Sequence, residues 1–115
     1  MKHTSDAHDV FENLRLELRR GCLTLAVLAR LRQEHYGYTL RRALFEQGLD
    51  IDEGTLYPLL RRLETQGLLQ SEWREENRRK KRFYRLTIAG TAVLAELIDE
   101  LQRMNVSLDR ITQEG

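Results

Sequence analysis

A dense run of cations gives this sequence its clearest chemical capacity. Residues 78–85 contain no acid and six cations, namely Arg78, Arg79, Lys80, Lys81, Arg82 and Arg85. Consecutive basic side chains neutralise phosphate groups, which supplies the salt-dependent affinity of proteins for nucleic acids. An Arg in such a run can also enter a minor groove. Taken alone, a charge run is more often just a solvated protein surface.

A second polar set lies upstream, on a segment with a leucine stripe. Leu56, Leu60 and Leu63 recur at helical spacing and predict the buried face of a helix. The other faces carry Glu53, Gly54, Thr55, Tyr57, Arg61 and Arg62. Hydroxyl groups suit phosphates or base edges, glycine permits close backbone approach, and a helix N-terminus favours phosphate oxygens. Arg61 fits either a phosphate contact or a surface ion pair.

The start of this helix is predicted from its capping residues. Asp52 is the expected N-cap, with Ile51 and Leu56 spaced as a hydrophobic staple. Pro58 conflicts with a regular helix, because it cannot donate to the carbonyl group of Gly54. The helix therefore either starts later, near Thr55, or bends at this point.

A shorter helix is predicted just before it, from about Thr39, as N-cap, to Gln47. Residues 48–51 form the turn between the two helices. Together they predict a helix-turn-helix, whose second helix can lie in a DNA major groove about 12 Å wide.

A β-hairpin is predicted to follow the second helix. Alternation over residues 68–76 and bulky residues over 82–87 indicate two strands, with a polar tip at residues 75–81. We expect Trp73 to pack the hairpin against the domain, since strand tryptophans normally bury area. In a winged helix the wing is a hairpin that follows the helix-turn-helix, and the basic hairpin occupies that position in this chain.

Helices are also predicted at both ends of the chain. Residues 1–10 are expected to be flexible, and a helix with a stripe that includes Phe11 is expected to stop at Gly21. Cys22–Leu31 is apolar nearly all round and predicts a buried central helix, in which Cys22 is a buried thiol. The fold class is therefore mainly α with a small β-hairpin: a winged helix-turn-helix over residues 11–87, with N- and C-terminal helices.

The last helix, over residues 88–115 and capped by Thr87, carries a seam suited to packing along another helix. Its apolar residues alternate between spacings of three and four from Leu94 to Ile111. Packing within its own domain is the alternative, but the centre is already filled by the buried helix. We therefore expect a homodimer held by Leu14, Leu18, Leu94, Leu97, Ile98, Leu101, Met104 and Leu108.

Composition bounds the remaining classes of function. The 115 residues carry a net charge of only +1, so the placement of charge matters more than its total. His3, His8, His35 and Cys22 match no tetrahedral metal spacing, and no catalytic motif is present, so neither an enzyme nor a metal or other cofactor is expected. No segment resembles a signal peptide or a membrane span, which favours a soluble, cytoplasmic protein.

One family shares these residues in this order. The run from Gly54 to Glu64, then Gly67-Leu68, Ser71-Glu72-Trp73 and Asn77-Arg78-Arg79, leads into Phe83-Tyr84-Arg85-Leu86-Thr87 and Gly90. With Tyr36-Gly37-Tyr38 upstream, this pattern resembles the PadR family of bacterial transcriptional regulators over about residues 12–100. The short C-terminal part is similar to the compact subgroup with one dimerisation helix.

The resemblance implies a homodimeric repressor that binds a short inverted repeat of double-stranded DNA. It places Tyr38, Thr39, Gly54, Thr55, Tyr57 and Pro58 at the DNA, beside the wing cations at residues 78–82. From the residues alone, Tyr36 and Tyr38 fit phosphate contact or loop packing equally well. A small-molecule effector stays open, since residues 88–115 contain no Trp, Tyr or Phe to line a pocket. The alternative function is a winged-helix protein-interaction module without DNA binding.

Overall fold

The computed structural model describes residues 4–114, and the side chains from Asp6 onward. The elements in chain order are α1 (Thr4–Arg30), β1 (His35–Tyr36), α2 (Gly37–Glu46), α3 (Glu53–Thr65), β2 (Leu69–Glu76), β3 (Arg79–Leu86) and α4 (Ile88–Gln113). The predicted fold class is confirmed, because helices dominate and the two longest strands form a hairpin.

The core lies where the C-terminal half of α1 meets the helix-turn-helix. Val27, Leu28 and Leu31 are completely buried there. They pack with the leucines of α2 and α3, namely Leu40, Leu44, Leu56, Leu59, Leu60 and Leu63, of which Leu56, Leu60 and Leu63 form the predicted stripe. Burial of several branched side chains at about 1.5–3 kcal/mol each fixes the orientation of α3 against the domain.

A single helix replaces the two helices predicted for the N-terminal part. Gly21 lies inside α1 and does not interrupt it. A glycine in a helix costs only about 1 kcal/mol relative to alanine, which the buried residues that follow it offset. Residues 4–10, expected to be flexible, are helical, while residues 1–3 lie outside the described residues. Cys22 is exposed rather than buried, so that prediction is wrong.

The hairpin turns more tightly than its sequence suggests. Only Asn77 and Arg78 connect β2 to β3, both with positive φ, at 53° and 66°. Two consecutive left-handed residues form the turn that matches the twist of a two-residue hairpin. The long tip predicted over residues 75–81 is therefore wrong, and most of its cations belong to a strand. The unpredicted β1 adds a third antiparallel strand beside β3.

The helix starts agree with the predicted caps in two of three cases. The Thr87 hydroxyl accepts from the backbone N–H of Gly90 at 2.9 Å. Asp52 precedes α3 in the N-cap position, and Pro58 lies inside this helix, which begins at Glu53 rather than near Thr55. Thr39 is not the N-cap, because α2 begins two residues earlier, at Gly37; Tyr36 is the N-cap, and Thr39 is the N3 residue of a capping box with it.

The two terminal helices expose apolar residues that the core does not cover. On α1 these include Phe11, Leu14 and Leu18, which are 56–74% exposed. On α4 they are Ile88 at its start and then Leu97, Ile98, Leu101, Met104, Val106, Leu108 and Ile111. Leu94, predicted at a dimer contact, is instead buried in the core of its own subunit at 5% exposure.

Candidate nucleic-acid interface

The outer face of α3 consists of short side chains and two arginines. Gly54, Pro58, Arg61 and Thr65 follow one another at helical spacing opposite the buried leucines. All of them are exposed, as is Arg62 beside them. Such a face can approach a groove closely, and a guanidinium there can donate two hydrogen bonds to a guanine edge.

The first turn of α3 is organised by its own polar side chains. The Thr55 hydroxyl donates to Asp52 Oδ1 at 2.7 Å, and this bond holds the pKa of the Asp52 carboxyl below its ordinary value. Arg41 of α2 donates to the backbone carbonyl of Ile51 and to Glu53 Oε1, at 3.0 and 3.2 Å. Glu53 and Thr55, both predicted at DNA, are exposed and have these internal partners.

Tyr57 packs against the start of α2. Its ring lies so close to Gly37 that a Cβ at this position would sit 2.7 Å from Tyr57 Cε1. Tyr57 is half-buried as a result. Its hydroxyl oxygen also lies against Gly37. This contact aligns α3 with the Tyr36–Tyr38 segment.

The other residues predicted near the start of α2 divide into two kinds. Tyr38 is 61% exposed, whereas Tyr36 is half-buried and packs edge-on against Phe83 at 5.2 Å between ring centroids. The Thr39 hydroxyl accepts from the backbone N–H of Tyr36 and donates to its carbonyl oxygen, at 3.2 and 3.1 Å. Thr39 thus stabilises the bend between β1 and α2, and Tyr38 is the open side chain here.

The cations of the hairpin point to two opposite faces, because β3 runs through them. Lys80 and Arg82 share a face with the buried Tyr84, on the side of α3, while Arg79 and Lys81 lie on the other face. Lys81 nevertheless lines the space beside α3 together with Lys80 and Arg82, so these three cations share one surface despite the alternation.

Two of the predicted wing cations have internal partners. Lys81 donates to the Tyr36 hydroxyl at 3.3 Å and to Glu76 at 3.2 Å, and these bonds raise the pKa of its ammonium group above the ordinary value. Arg82 pairs with Glu64 of α3 at 2.9 Å. Both cations stabilise the hairpin in its place.

The remaining cations are more available for a ligand. Within residues 4–114, five of the cations predicted at DNA take part in no ion pair, namely Arg61, Arg62, Arg78, Arg79 and Lys80. Glu75 and Glu76 of β2 lie opposite Lys80 and Arg79 in the hairpin register. Arg78 lies in the turn itself, beyond the paired residues.

A cleft of about 380 Å³ separates α3 from the hairpin. Tyr57 and Arg61 line it on the helix side, and Trp73, Lys80 and Arg82 on the strand side. Its walls combine aromatic rings with cations, which suits a sugar-phosphate chain. Trp73 is 62% exposed at this edge, so the prediction that it packs against the domain is wrong.

Sequence reasoning missed the ion pair that ties the outer face of the hairpin to the loop after α1. Arg74 pairs with Glu34 and lies over the Phe83 ring, 3.9 Å from its centroid. The pair with Glu34 raises the pKa of the Arg74 guanidinium. No spacing in the sequence relates residue 34 to residue 74, since only the pairing of β1 with β3 brings them together.

This arrangement of a groove-sized helix beside a cationic hairpin has counterparts among known proteins. The family model described as the transcriptional regulator PadR-like family matches residues 24–96. The chain belongs to this family. It is therefore a winged-helix, DNA-binding transcriptional regulator, in a family of regulators rather than enzymes.

Individual relatives agree with this assignment. The transcriptional regulator Rv3488 of Mycobacterium tuberculosis is 41% identical over 91 residues, which cover 76% of this chain and 85% of the relative. A crystal structure of a PadR family transcriptional regulator from Eggerthella lenta superposes with a TM-score of 0.90 at 38% identity, covering 97% of this chain and 100% of the other. A PadR-like transcription factor from Bacteroides fragilis gives a TM-score of 0.75 at 33% identity, covering 86% and 98%.

A helix that crosses a membrane needs about 20 consecutive, mainly apolar residues. No helix in the part of the chain that the structure describes combines the length and the apolar character needed to cross a membrane.

Proposed function

We propose that this regulator is a repressor that binds a short inverted repeat of duplex DNA as a homodimer. The observation that carries the proposal is the common cleft between α3 and the hairpin, where Tyr57, Arg61 and Lys80 face one space. In this proposal α3 enters the major groove and the hairpin follows the adjacent backbone. Because such a regulator acts where its DNA is, we place it in the cytoplasm.

The proposed DNA contacts refine the set predicted from sequence. Arg61 reads a base edge, since it is the long donor nearest the centre of the outer face of α3. Gly54 and Pro58 allow the approach, and Tyr38, Tyr57 and Arg62 contact the backbone. At the hairpin, Arg78, Arg79 and Lys80 supply the phosphate contacts.

The homodimer is supported by the apolar residues that α1 and α4 leave exposed. Leu97, Leu101 and Leu108 are 36–53% exposed along one seam of α4. A helix of 26 residues is about 39 Å long, and a seam of this kind is stable only against a second apolar surface. Leu14 and Leu18 of α1 offer further apolar area, and Ile98 and Met104 extend the seam.

Acidic residues outnumber basic ones on the exposed part of α4. Two arginines of α1 have partners in their own subunit: Arg15 pairs with Glu12, and Arg19 donates to the backbone carbonyl of Asp50. The exposed part of α4 carries Glu96, Asp99, Glu100 and Asp109. Two-fold symmetry would then present two copies of α3 about 34–36 Å apart, which is one turn of DNA.

A footprint upstream of the gene for this protein tests the proposal. We expect protection of two symmetric half-sites one helical turn apart, and repression of a reporter placed downstream of them. Arg61→Ala should abolish protection of the half-sites, while Arg103→Ala on α4, an exposed arginine paired with Glu100, should leave it intact. No protection of any duplex, together with capture of a protein partner by the same face, would instead establish the interaction module.

A further inference from the structure

Arg82 is held by a three-residue network rather than exposed to solvent as a free cation. Its guanidinium donates to Glu64 Oε1 and to Ser71 Oγ, both at 2.9 Å. The Ser71 hydroxyl in turn donates to Glu64 Oε2 at 2.6 Å. Both carboxylate oxygens of Glu64 are thus used, and one residue from each of α3, β2 and β3 takes part.

This network is the polar link between α3 and the hairpin. In the described part of the chain, the side-chain hydrogen bonds between α3 and the two long strands are the two made by Glu64. The chain between α3 and β2 is short and turns at Gly67, where φ is 82°. The angle between helix and hairpin therefore depends on this turn, on the buried leucines and on the network.

We propose that Glu64, Ser71 and Arg82 are positioning residues that fix the hairpin relative to α3, and that Arg82 contributes to DNA binding through this geometry and not by contacting a phosphate. The inference rests on the proposed function. The planar guanidinium suits the role, because its donors form a rigid fork that matches a carboxylate. The partial burial of the pair, with side chains 36% and 27% exposed, also reduces screening by solvent.

Removal of Glu64 distinguishes positioning from phosphate contact by the sign of its effect. If Arg82 bound a phosphate, loss of the neighbouring carboxylate would free the cation and tighten DNA binding. If the network positions the hairpin, Glu64→Gln should weaken operator binding about threefold and Glu64→Ala about tenfold, in the range of coupled neighbours. Arg82→Ala should match Glu64→Ala, and the double variant should be no weaker than either single one.

The dependence on salt gives a second distinction. Each phosphate contact adds about 0.9 to the magnitude of the slope of log affinity against log salt. If Arg82 only positions the hairpin, the Arg82→Ala variant should show the same slope as the wild type. Arg82→Lys, which keeps the charge but not the fork, should bind like Arg82→Ala and not like the wild type.

Trp73 reports on the same network without DNA. It is the only tryptophan of the chain, and the Arg82 guanidinium carbon lies 5.7 Å from the centroid of its ring. Displacement of Arg82 should therefore change the emission of Trp73 in the free protein. Glu46→Ala is the control, since it also removes a glutamate that pairs with an arginine, here the exposed pair with Arg42 within α2, and should leave both the emission and the operator affinity unchanged.

The experiment combines operator titrations with Trp73 emission for wild type, Glu64→Gln, Glu64→Ala, Arg82→Ala and Glu46→Ala. The positioning role is supported if the Glu64 variants lose affinity and change the emission while the control does neither. Tighter binding by Glu64→Gln, or an unchanged emission in Glu64→Ala, overturns it. Failure of the wild type to bind any duplex would contradict the proposed function, whereas the emission would still test whether the network holds Arg82.

Discussion

The ring of Tyr57 occupies the space that a side chain at Gly37 would need. A Cβ at residue 37 would lie 2.7 and 2.9 Å from two ring carbons of Tyr57, and closer still to its hydroxyl oxygen. The contact joins the first residue of α2 to the first turns of α3. It gives a physical reason for finding a tyrosine–glycine–tyrosine segment together with a Thr55–Pro58 segment in the same chain.

Gly37→Ala should therefore destabilise the protein and displace Tyr57. We expect the free energy of unfolding to fall by about 1–3 kcal/mol, as in other overpacked sites. Urea denaturation measures this loss, and an operator titration should show weaker binding as the tyrosine moves. Gly21→Ala is the control: no atom lies within 4 Å of its new Cβ, so we expect it to stabilise α1 by about 0.5–1 kcal/mol. A Gly37→Ala variant as stable as the wild type would contradict the packing account.

Arg78 combines a strained backbone with an exposed charge, and its replacement should separate the two. Its φ of 66° lies in the left-handed region, which costs a non-glycine residue roughly 1–2 kcal/mol. Arg78→Gly should remove most of this strain and raise the thermal midpoint, while it weakens binding to the operator. Calorimetry and a DNA titration on the same samples measure the two opposite effects.

Arg79→Ala supplies the comparison for this prediction. It removes a neighbouring cation from a residue paired in the strand, opposite Glu76. We expect weaker operator binding without a gain in stability. If Arg78→Gly binds the operator as tightly as the wild type, the turn is not part of the DNA interface.

The buried framework was accessible from sequence because it depends on periodicity. The leucine stripe of α3, the Thr87 cap and the pair of long strands each follow from spacings within one short segment. The general place of the interface follows from the same patterns, since the exposed residues of α3 are those outside the stripe. Burial of an apolar face determines these features almost alone.

Features set by long-range contacts were not predictable in this way. Gly21 is weak evidence for a helix end, because tertiary packing of Leu28 and Leu31 outweighs its low helix propensity. The division of the basic run into free and internally paired cations depends on the hairpin register and on Glu64 from another element. An arginine at a left-handed turn position also runs against residue preferences, so the tip appeared longer than it is.

Acidification should destabilise the protein through His35. Burial, and to a smaller extent the charge of Arg30, lower the pKa of this histidine below its ordinary value of 6.5. The unfolded chain therefore binds a proton more readily, and stability present above that value is lost as the pH falls through the lowered pKa. Urea denaturation at pH 7.5 and at pH 5.5 should show the loss, and His35→Gln should reduce it. An equal loss in the variant would assign the effect to other groups.

The proposed dimer predicts a specific response to charge on α4. Leu101→Glu and Leu108→Glu place carboxylates in the apolar seam and should shift sedimentation equilibrium from dimer to monomer. Ile88→Glu on the same helix is the control, because Ile88 is 93% exposed and lies before the seam. A wild-type mass equal to a single chain at micromolar concentration would exclude this form of the proposal.

Salt dependence of operator binding tests the DNA interface most directly. The affinity of the wild type for its protected duplex, measured over a range of salt concentrations, should fall steeply and linearly on logarithmic axes. A triple variant with Arg78, Arg79 and Lys80 replaced by alanine should give a shallower slope, by about 0.9 for each phosphate that the hairpin no longer neutralises. A flat dependence for the wild type, or the same slope for the triple variant, would contradict the assignment of these residues to DNA.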